Sequence, residues 1–227
     1  MVSSLESAVD RLADDPQVRV VVLRGRGTSF CAGADLTELS VCSPAEATSA
    51  ALGCAAVMDR LARLPVPLVA AMHGNAVGGG FLISLYCDWR IARADTQLGL
   101  PAASRQWLPP WAMSRLAAWV GLAKAQQILL CGGMFTADEA QRRGLLDQVV
   151  DGADEQGWES EIRRTTQRLG QVRRDVVGEI RSFFASLGRG SHQQWDQLSS
   201  EAFGRCFDHP EARAAIRAFL SRRESRE

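Results

Sequence analysis

The sequence predicts an α/β domain with a helical C-terminal extension. Two short apolar runs, VRVVVL at 18–23, rich in β-branched residues, and PLVAAM at 67–72, are too short for helices and read as buried strands. They alternate with segments of helical periodicity through the first two thirds of the chain. From residue 154 onward the pattern is helical only. A third feature, the turn GNAVGGGFL at 74–82, follows a strand and opens a helix.

Each element has a local reason. Ser3 or Ser4 caps a first helix through about Ala13, with Leu5, Val9, Leu12 and Ala13 on one face, and Pro16 ends it. The strand 18–23 runs into the loop GRGTSFCAGAD. Ser43 as N-cap and Pro44 in the first turn start a helix over 44–63, which Pro65-Val66-Pro67 breaks. Strand 68–72, a helix over about 79–85 and a short strand over 88–92 follow. The proline-bearing stretch 97–112 reads as a loop. Helices are expected at about 112–120, 122–131 and 136–143, and a strand at 144–150. Gly170, Gly188 and Gly190 divide the remaining helical region. Residues 1–150 thus form the α/β core and 151–227 a helical region of the same domain.

Composition narrows the function. Basic and acidic residues balance at 26 each, so neither nucleic acid nor an anionic membrane is expected as a partner. Only Lys124 is a lysine, which removes nearly every candidate for a catalytic amine. The six cysteines show no C-x-x-C or zinc spacing, which fits reduced thiols in a cytoplasmic protein without a metal site. The N-terminal segment is charged and amphipathic, unlike a signal peptide, and no apolar stretch reaches about 18 residues.

Glycine is the costliest residue to order, so three together imply that backbone approaches something closely. A nucleotide is not favoured: GNAVGGG lacks the G-x-G-x-x-G spacing, Gly25-Arg26-Gly27 has Phe30 where the third glycine belongs, and no G-x-x-x-x-G-K-[ST] occurs. Close strand-to-helix packing is the structural alternative. Yet FCAGAD and GNAVGGG each follow a strand, and each presents backbone N–H groups. At Gly79 that group falls in the first turn of a helix, where amides lack internal partners. Two such donors aimed at one point would hold an oxyanion developing on a thioester carbonyl.

VRVVVLRGRGTSFCAGADL, followed about 35 residues later by PLVAAMHGNAVGGGFLISLYCDWRIARADTQLGLP, resembles the crotonase superfamily, the enoyl-CoA hydratase/isomerase family. AQQILLCGGMFTADEAQRRGLLDQVV and EARAAIRAFLSRR are similar to the same family, so the likeness covers nearly the whole chain. The resemblance implies a spiral of ββα units with C-terminal helices that assemble trimers or hexamers. It implies no tightly bound cofactor, coenzyme A entering as the thioester of the substrate. The acyl carbonyl would sit between the amides of Ala34 and Gly79. The backbone of Ala32, Gly33, Asp35 and Leu36 would receive the adenine, and Arg222 would meet the CoA phosphates, often across a subunit boundary. Asp35 would also cap the following helix or orient the loop.

Departures from the family bear on the reaction. Hydratases of the family carry one glutamate two positions after the third glycine and another after the proline of a G-x-P-E loop. Here these positions are Leu82 and Ala102, and neither moves a proton. General acid–base groups contribute about 10²–10⁴ each, so ordinary hydration should be crippled. A related decarboxylase branch uses a lysine–histidine pair. Lys124 falls in a distant helix, and His73 reads as a hydrogen-bonded structural residue. In the loop LGLPAASRQWLPPW, Arg105 is a candidate clamp for a substrate carboxylate. Trp107 and Trp111 either line an apolar or aromatic acyl pocket or belong to the core. Tyr86 and Asp88 read as structural, and Glu38 as solvated.

Family members also begin with two strands bearing an L-N-x-P-x-x-x-N-A-L pattern. This sequence opens near the helix that follows, so either the true start lies upstream or the segment is lost; without it, a sheet edge would need covering, as by another subunit. The sequence therefore points to an enzyme that acts on an acyl-CoA or carrier-protein thioester by stabilising its enolate. Isomerisation, decarboxylation or dehydration would replace hydration, in a setting such as secondary metabolism. The alternative is a non-catalytic accessory that binds a thioester or assists a biosynthetic enzyme.

Overall fold

The computed structural model describes residues 2–152, 154–187, 189–206 and 210–224. In chain order the elements are α1 (Val2–Asp14), β1 (Val21–Arg24), α2 (Leu36–Val41), α3 (Pro44–Ala62), β2 (Leu68–Met72), β3 (Asn75–Val77), α4 (Gly79–Ser84), β4 (Trp89–Arg93) and β5 (Gln97–Gly99). A 3-10 turn at Ala103–Arg105 leads to α5 (Met113–Val120), α6 (Leu122–Cys131), β6 (Met134–Thr136), α7 (Ala137–Arg142) and β7 (Gln148–Val150). The C-terminal helices are α8 (Glu155–Gly170), α9 (Arg174–Leu187), α10 (Arg189–Cys206) and α11 (Pro210–Glu224).

Four parallel strands form one sheet in the order β1-β2-β4-β7, with Val21 opposite Leu68, Val69 opposite Trp89 and Ile91 opposite Gln148. A three-stranded sheet, β3-β5-β6, pairs β3 with β5 in parallel and β5 with β6 antiparallel. From β2 to β5 consecutive strands alternate between sheets: β2 lies in the first and β3 in the second, then β4 in the first and β5 in the second. This is the expected ββα repeat. β1, the first strand in the sequence, is an edge of the larger sheet.

β2 reads as an unbroken apolar run because both of its faces are covered. Leu68, Ala70 and Met72 join the main core, while Val69 and Ala71 pack with Ile91, Trp158 and Ile162 beneath α8. Capping fixes the starts of the helices around this core. Ser43 and Glu46 form a capping box on α3, and Thr136 and Glu139 form one on α7.

Several boundaries differ from the sequence expectation. β1 begins at Val21 rather than at residue 18. The stretch 97–112, expected as a loop, contains β5 and the 3-10 turn. Only the last three residues of the expected strand 144–150 are extended, since Leu145 and Leu146 turn into the core instead. Gly190 falls in the first turn of α10 and does not break it, and Gly188 lies outside the described residues.

Two buried cations bind layers together. Arg90, fully buried on β4, donates to both carboxylate oxygens of Asp147 and lies 3.5 Å from the Trp119 ring centre. Arg181 on α9 pairs with Asp88 and donates to the carbonyl of Ala62 at 3.0 Å, which ties α9 to α3 and to the start of β4. Asp88 in turn accepts from the backbone N–H of Leu68 at 2.8 Å.

Candidate functional site

The loop after β1 folds back along β3 and is stitched to it. Phe30 N–H donates to the His73 carbonyl at 2.8 Å, Cys31 N–H to the Asn75 carbonyl at 3.0 Å, and Val77 N–H to the Cys31 carbonyl at 2.9 Å. Cys31 thus makes a parallel bridge opposite Ala76. Side chains add to the stitching: His73 Nε2 lies 3.0 Å from the Gly27 carbonyl oxygen, and Ser29 Oγ is 3.3 Å from both nitrogens of Asn75. His73 has the structural role expected of it.

This alignment brings the two glycine-bearing turns into contact. Gly33 has φ +95°, and a Cβ built on it would lie 2.9 Å from the Val77 carbonyl oxygen and 3.3 Å from the Gly79 nitrogen. A Cβ on Gly80 would lie 2.1 Å from the Cys31 carbonyl oxygen. Gly78 has φ +57°, a conformation that side chains of L-residues rarely adopt. Gly79 itself has room, the nearest atom to its would-be Cβ being the Gly33 Cα at 3.7 Å. The triple glycine therefore answers to two constraints, a backbone turn at Gly78 and close approach of the first loop at Gly80.

Gly79 opens α4, and Ala34 follows Gly33 on the facing loop. Among the described residues neither amide donates to a backbone or side-chain acceptor. Ala34 is exposed and Gly79 half-buried. Two unpartnered N–H groups on contacting turns can receive a negatively charged oxygen without first breaking a protein bond. Beside them Asp35 caps α2, its carboxylate accepting from Thr37 N–H at 2.8 Å and Glu38 N–H at 3.4 Å. Ala32 is exposed, Leu36 packs partly against the core, and Glu38 is exposed.

The wall opposite begins where β5 meets the glycine turn, the Gly78 N–H donating to the Gly99 carbonyl at 2.8 Å. Leu82 is only 1% exposed and belongs to the main core, whereas Ala102 is half-buried. Arg105 donates to the Pro101 carbonyl at 3.3 Å, and its guanidinium carbon sits 4.7 Å over the Phe219 ring of α11. Burial moves this guanidinium below its usual range. Trp107 packs partly against the core, and Trp111 is buried with its ring 6.0 Å from that of Tyr86. α11 lies across α2 and the 3-10 turn of the same chain, and Arg213 donates to the Cys42 carbonyl at 3.4 Å. Arg222 is exposed near the end of this helix. Lys124 is exposed on α6, hydrogen-bonded to Gln127.

Sequence reasoning missed a polar cluster contributed by the C-terminal region. Asp196 on α10, buried to 6% exposure, accepts from Ala112 N–H at 3.0 Å. Ser199 and Ser200 donate to the Pro110 carbonyl at 2.9 and 3.0 Å. These contacts span more than eighty residues of sequence, so no local pattern announces them. Phe219, the partner of Arg105, was missed for the same reason.

Among the described residues no group of three or more His, Cys, Asp or Glu side chains is placed to hold a metal ion, and no helix is long and apolar enough to cross a membrane.

The family model for enoyl-CoA hydratase/isomerase matches residues 1–226, and the chain belongs to this family, within the crotonase superfamily. It is 30% identical over 227 residues to a probable enoyl-CoA hydratase of Bacillus subtilis (strain 168), covering 99% of this chain and 87% of the relative. It is 30% identical over 226 residues to a short-chain-enoyl-CoA hydratase of Clostridium acetobutylicum, covering 97% and 84%. The crystal structure of an enoyl-CoA hydratase from Bacillus halodurans superposes with a TM-score of 0.87 at 20% identity over 96% of this chain and 88% of that one, a likeness of fold.

Proposed function

We propose that this protein binds an acyl-CoA or acyl-carrier-protein thioester, with the thioester carbonyl received by the amides of Ala34 and Gly79, and stabilises the enolate formed there. The observation that carries this is the contact of the two turns at Gly33 and Gly79, flanked by two N–H groups without internal acceptors. The backbone of Ala32, Gly33, Asp35 and Leu36 would hold the adenine end, and Arg222 would meet the CoA phosphates. The names of the curated relatives support a CoA thioester as ligand.

The reaction is not standard hydration, because Leu82 and Ala102 hold neither water nor a proton. Isomerisation, decarboxylation or dehydration fits better, with Arg105 binding a substrate carboxylate after leaving Phe219 or assisting from where it stands. A cytoplasmic biosynthetic setting suits such chemistry. Residues 1–150 and 151–227 act as one domain, since α8 covers the larger sheet and α10 packs on α3 and α5. Self-association as a trimer or hexamer would use apolar surface such as Val176, Ile180 and Phe184 on α9.

A panel of acyl-CoA thioesters tests this reading. Expected are a raised melting temperature and exchange of the α-protons with deuterium. Binding without exchange favours a non-catalytic partner, a role suggested by the burial of Leu82 in the core. Absence of binding across the panel contradicts the thioester site.

A further inference from the structure

We propose that Asp196 is a positioning residue for the acyl end of the thioester site. This rests on the function proposed above and adds a residue from the C-terminal helices to it.

Segment 100–112 runs alongside α4 and is fixed near both ends of that helix. At the N-terminal end, Gly99 accepts from the Gly78 N–H, one residue before the proposed oxyanion donor. At the C-terminal end, the Trp111 ring packs at 6.0 Å against Tyr86, two residues past the helix. Between these anchors lie Ala102, at the second catalytic position of the family's hydratases, and Arg105 and Trp107, three and five residues further on. Whatever sets the path of this segment sets the wall that an acyl chain meets.

That path ends in a left-handed residue. Ala112 has φ +62° and precedes α5 as its N-cap, and its methyl side chain makes no capping hydrogen bond. Its N–H is held by Asp196 instead, while Ser199 and Ser200 hold the Pro110 carbonyl from the same helix. Three buried polar side chains on one helix thus grip the main chain of two residues, Pro110 and Ala112, on either side of Trp111. The groups facing Asp196 come from other elements: Asp59 on α3, Arg115 on α5 and Tyr86 after α4. Arg115 is shared, at 3.7 Å from Asp59 and with its guanidinium carbon 4.1 Å over the Tyr86 ring. A buried carboxylate next to a second carboxylate is costly, and fixing the strained turn at Ala112 is the gain that the geometry shows.

The experiment compares dissociation constants for coenzyme A, crotonyl-CoA and octanoyl-CoA, by calorimetry, in the wild type and in Asp196→Ala, Asp196→Asn and the pair Ser199→Ala/Ser200→Ala. Asparagine keeps an oxygen able to accept from Ala112; alanine does not. The expected result is that Asp196→Ala weakens the acyl-CoAs at least tenfold and leaves coenzyme A within twofold. Asp196→Asn should restore wild-type ratios. If Asp196→Ala does not fold, the serine pair carries the test, with the same selective loss expected. An unchanged ratio of acyl-CoA to CoA affinity in a folded variant overturns the positioning role and leaves the thioester site standing. A wild type that binds neither coenzyme A nor an acyl-CoA overturns both.

Discussion

The carbonyl oxygen of Cys31 lies 2.1 Å from the point at which a side chain on Gly80 would begin. Gly80→Ala therefore pushes the first loop off β3, at a cost of about 3 kcal/mol, the upper range for overpacking. Gly79→Ala meets only ordinary contact and should stay within about 1 kcal/mol of wild type. Chemical denaturation of the two variants checks the ordering. Equal stabilities would mean that the two loops are not in contact as described.

Restoring the first hydratase carboxylate should fail structurally. Leu82 is buried in the main core, so Leu82→Glu places an unpaired carboxylate there and should cost roughly 2–5 kcal/mol. Ala102→Glu, at a half-buried turn, should cost less than about 1 kcal/mol. Thermal melts of both variants decide this, and a stable Leu82→Glu would show that the position opens to the site.

Arg105 over Phe219 predicts a measurable coupling between the 3-10 turn and α11. A double-mutant cycle with Arg105→Ala and Phe219→Ala should give an interaction of about 0.5–1 kcal/mol. Additive effects would free Arg105 from its structural assignment and strengthen its candidacy as a carboxylate clamp.

Asp196 predicts a pH dependence of definite sign. Burial pushes its carboxyl up, opposed by the Ala112 N–H, with repulsion from Asp59 adding to the rise and Arg115 opposing it. The folded state then keeps this proton at pH values where the unfolded chain has released it. Its contribution to stability is full below the ordinary carboxylate range and is lost as pH rises through the raised folded value. Asp196→Asn removes this group, so its stability relative to wild type should improve as pH rises from about 4 towards neutrality. Urea titrations at several pH values measure this difference, and a flat or opposite trend contradicts the assignment.

The α/β core was legible because its signals are local, whereas the ββα order came from the family resemblance. Pro65-Val66-Pro67 marks the entry to β2, Ser43-Pro44 starts α3, and the five apolar residues of β2 match a strand covered on both faces. The turns at Gly33 and Gly78–Gly80 were legible because the positive φ of Gly33 and Gly78 and the close approach at Gly80 call for glycine. β5 and β6 escaped because strands of three residues leave too little alternation to see. The grip of Asp196 on Ala112 escaped because it depends on how α10 crosses α5. The same Asp in a solvated helix would look identical in sequence.

The central claim is that the amides of Ala34 and Gly79 receive a thioester carbonyl. Isotope-edited infrared difference spectroscopy of crotonyl-CoA labelled with ¹³C at the thioester carbonyl tests it most directly. Two hydrogen bonds in a partly desolvated site should move the carbonyl stretch of the bound ligand to lower frequency than in water. A bound ligand whose carbonyl stretch is unshifted, or shifted upward, would contradict the account.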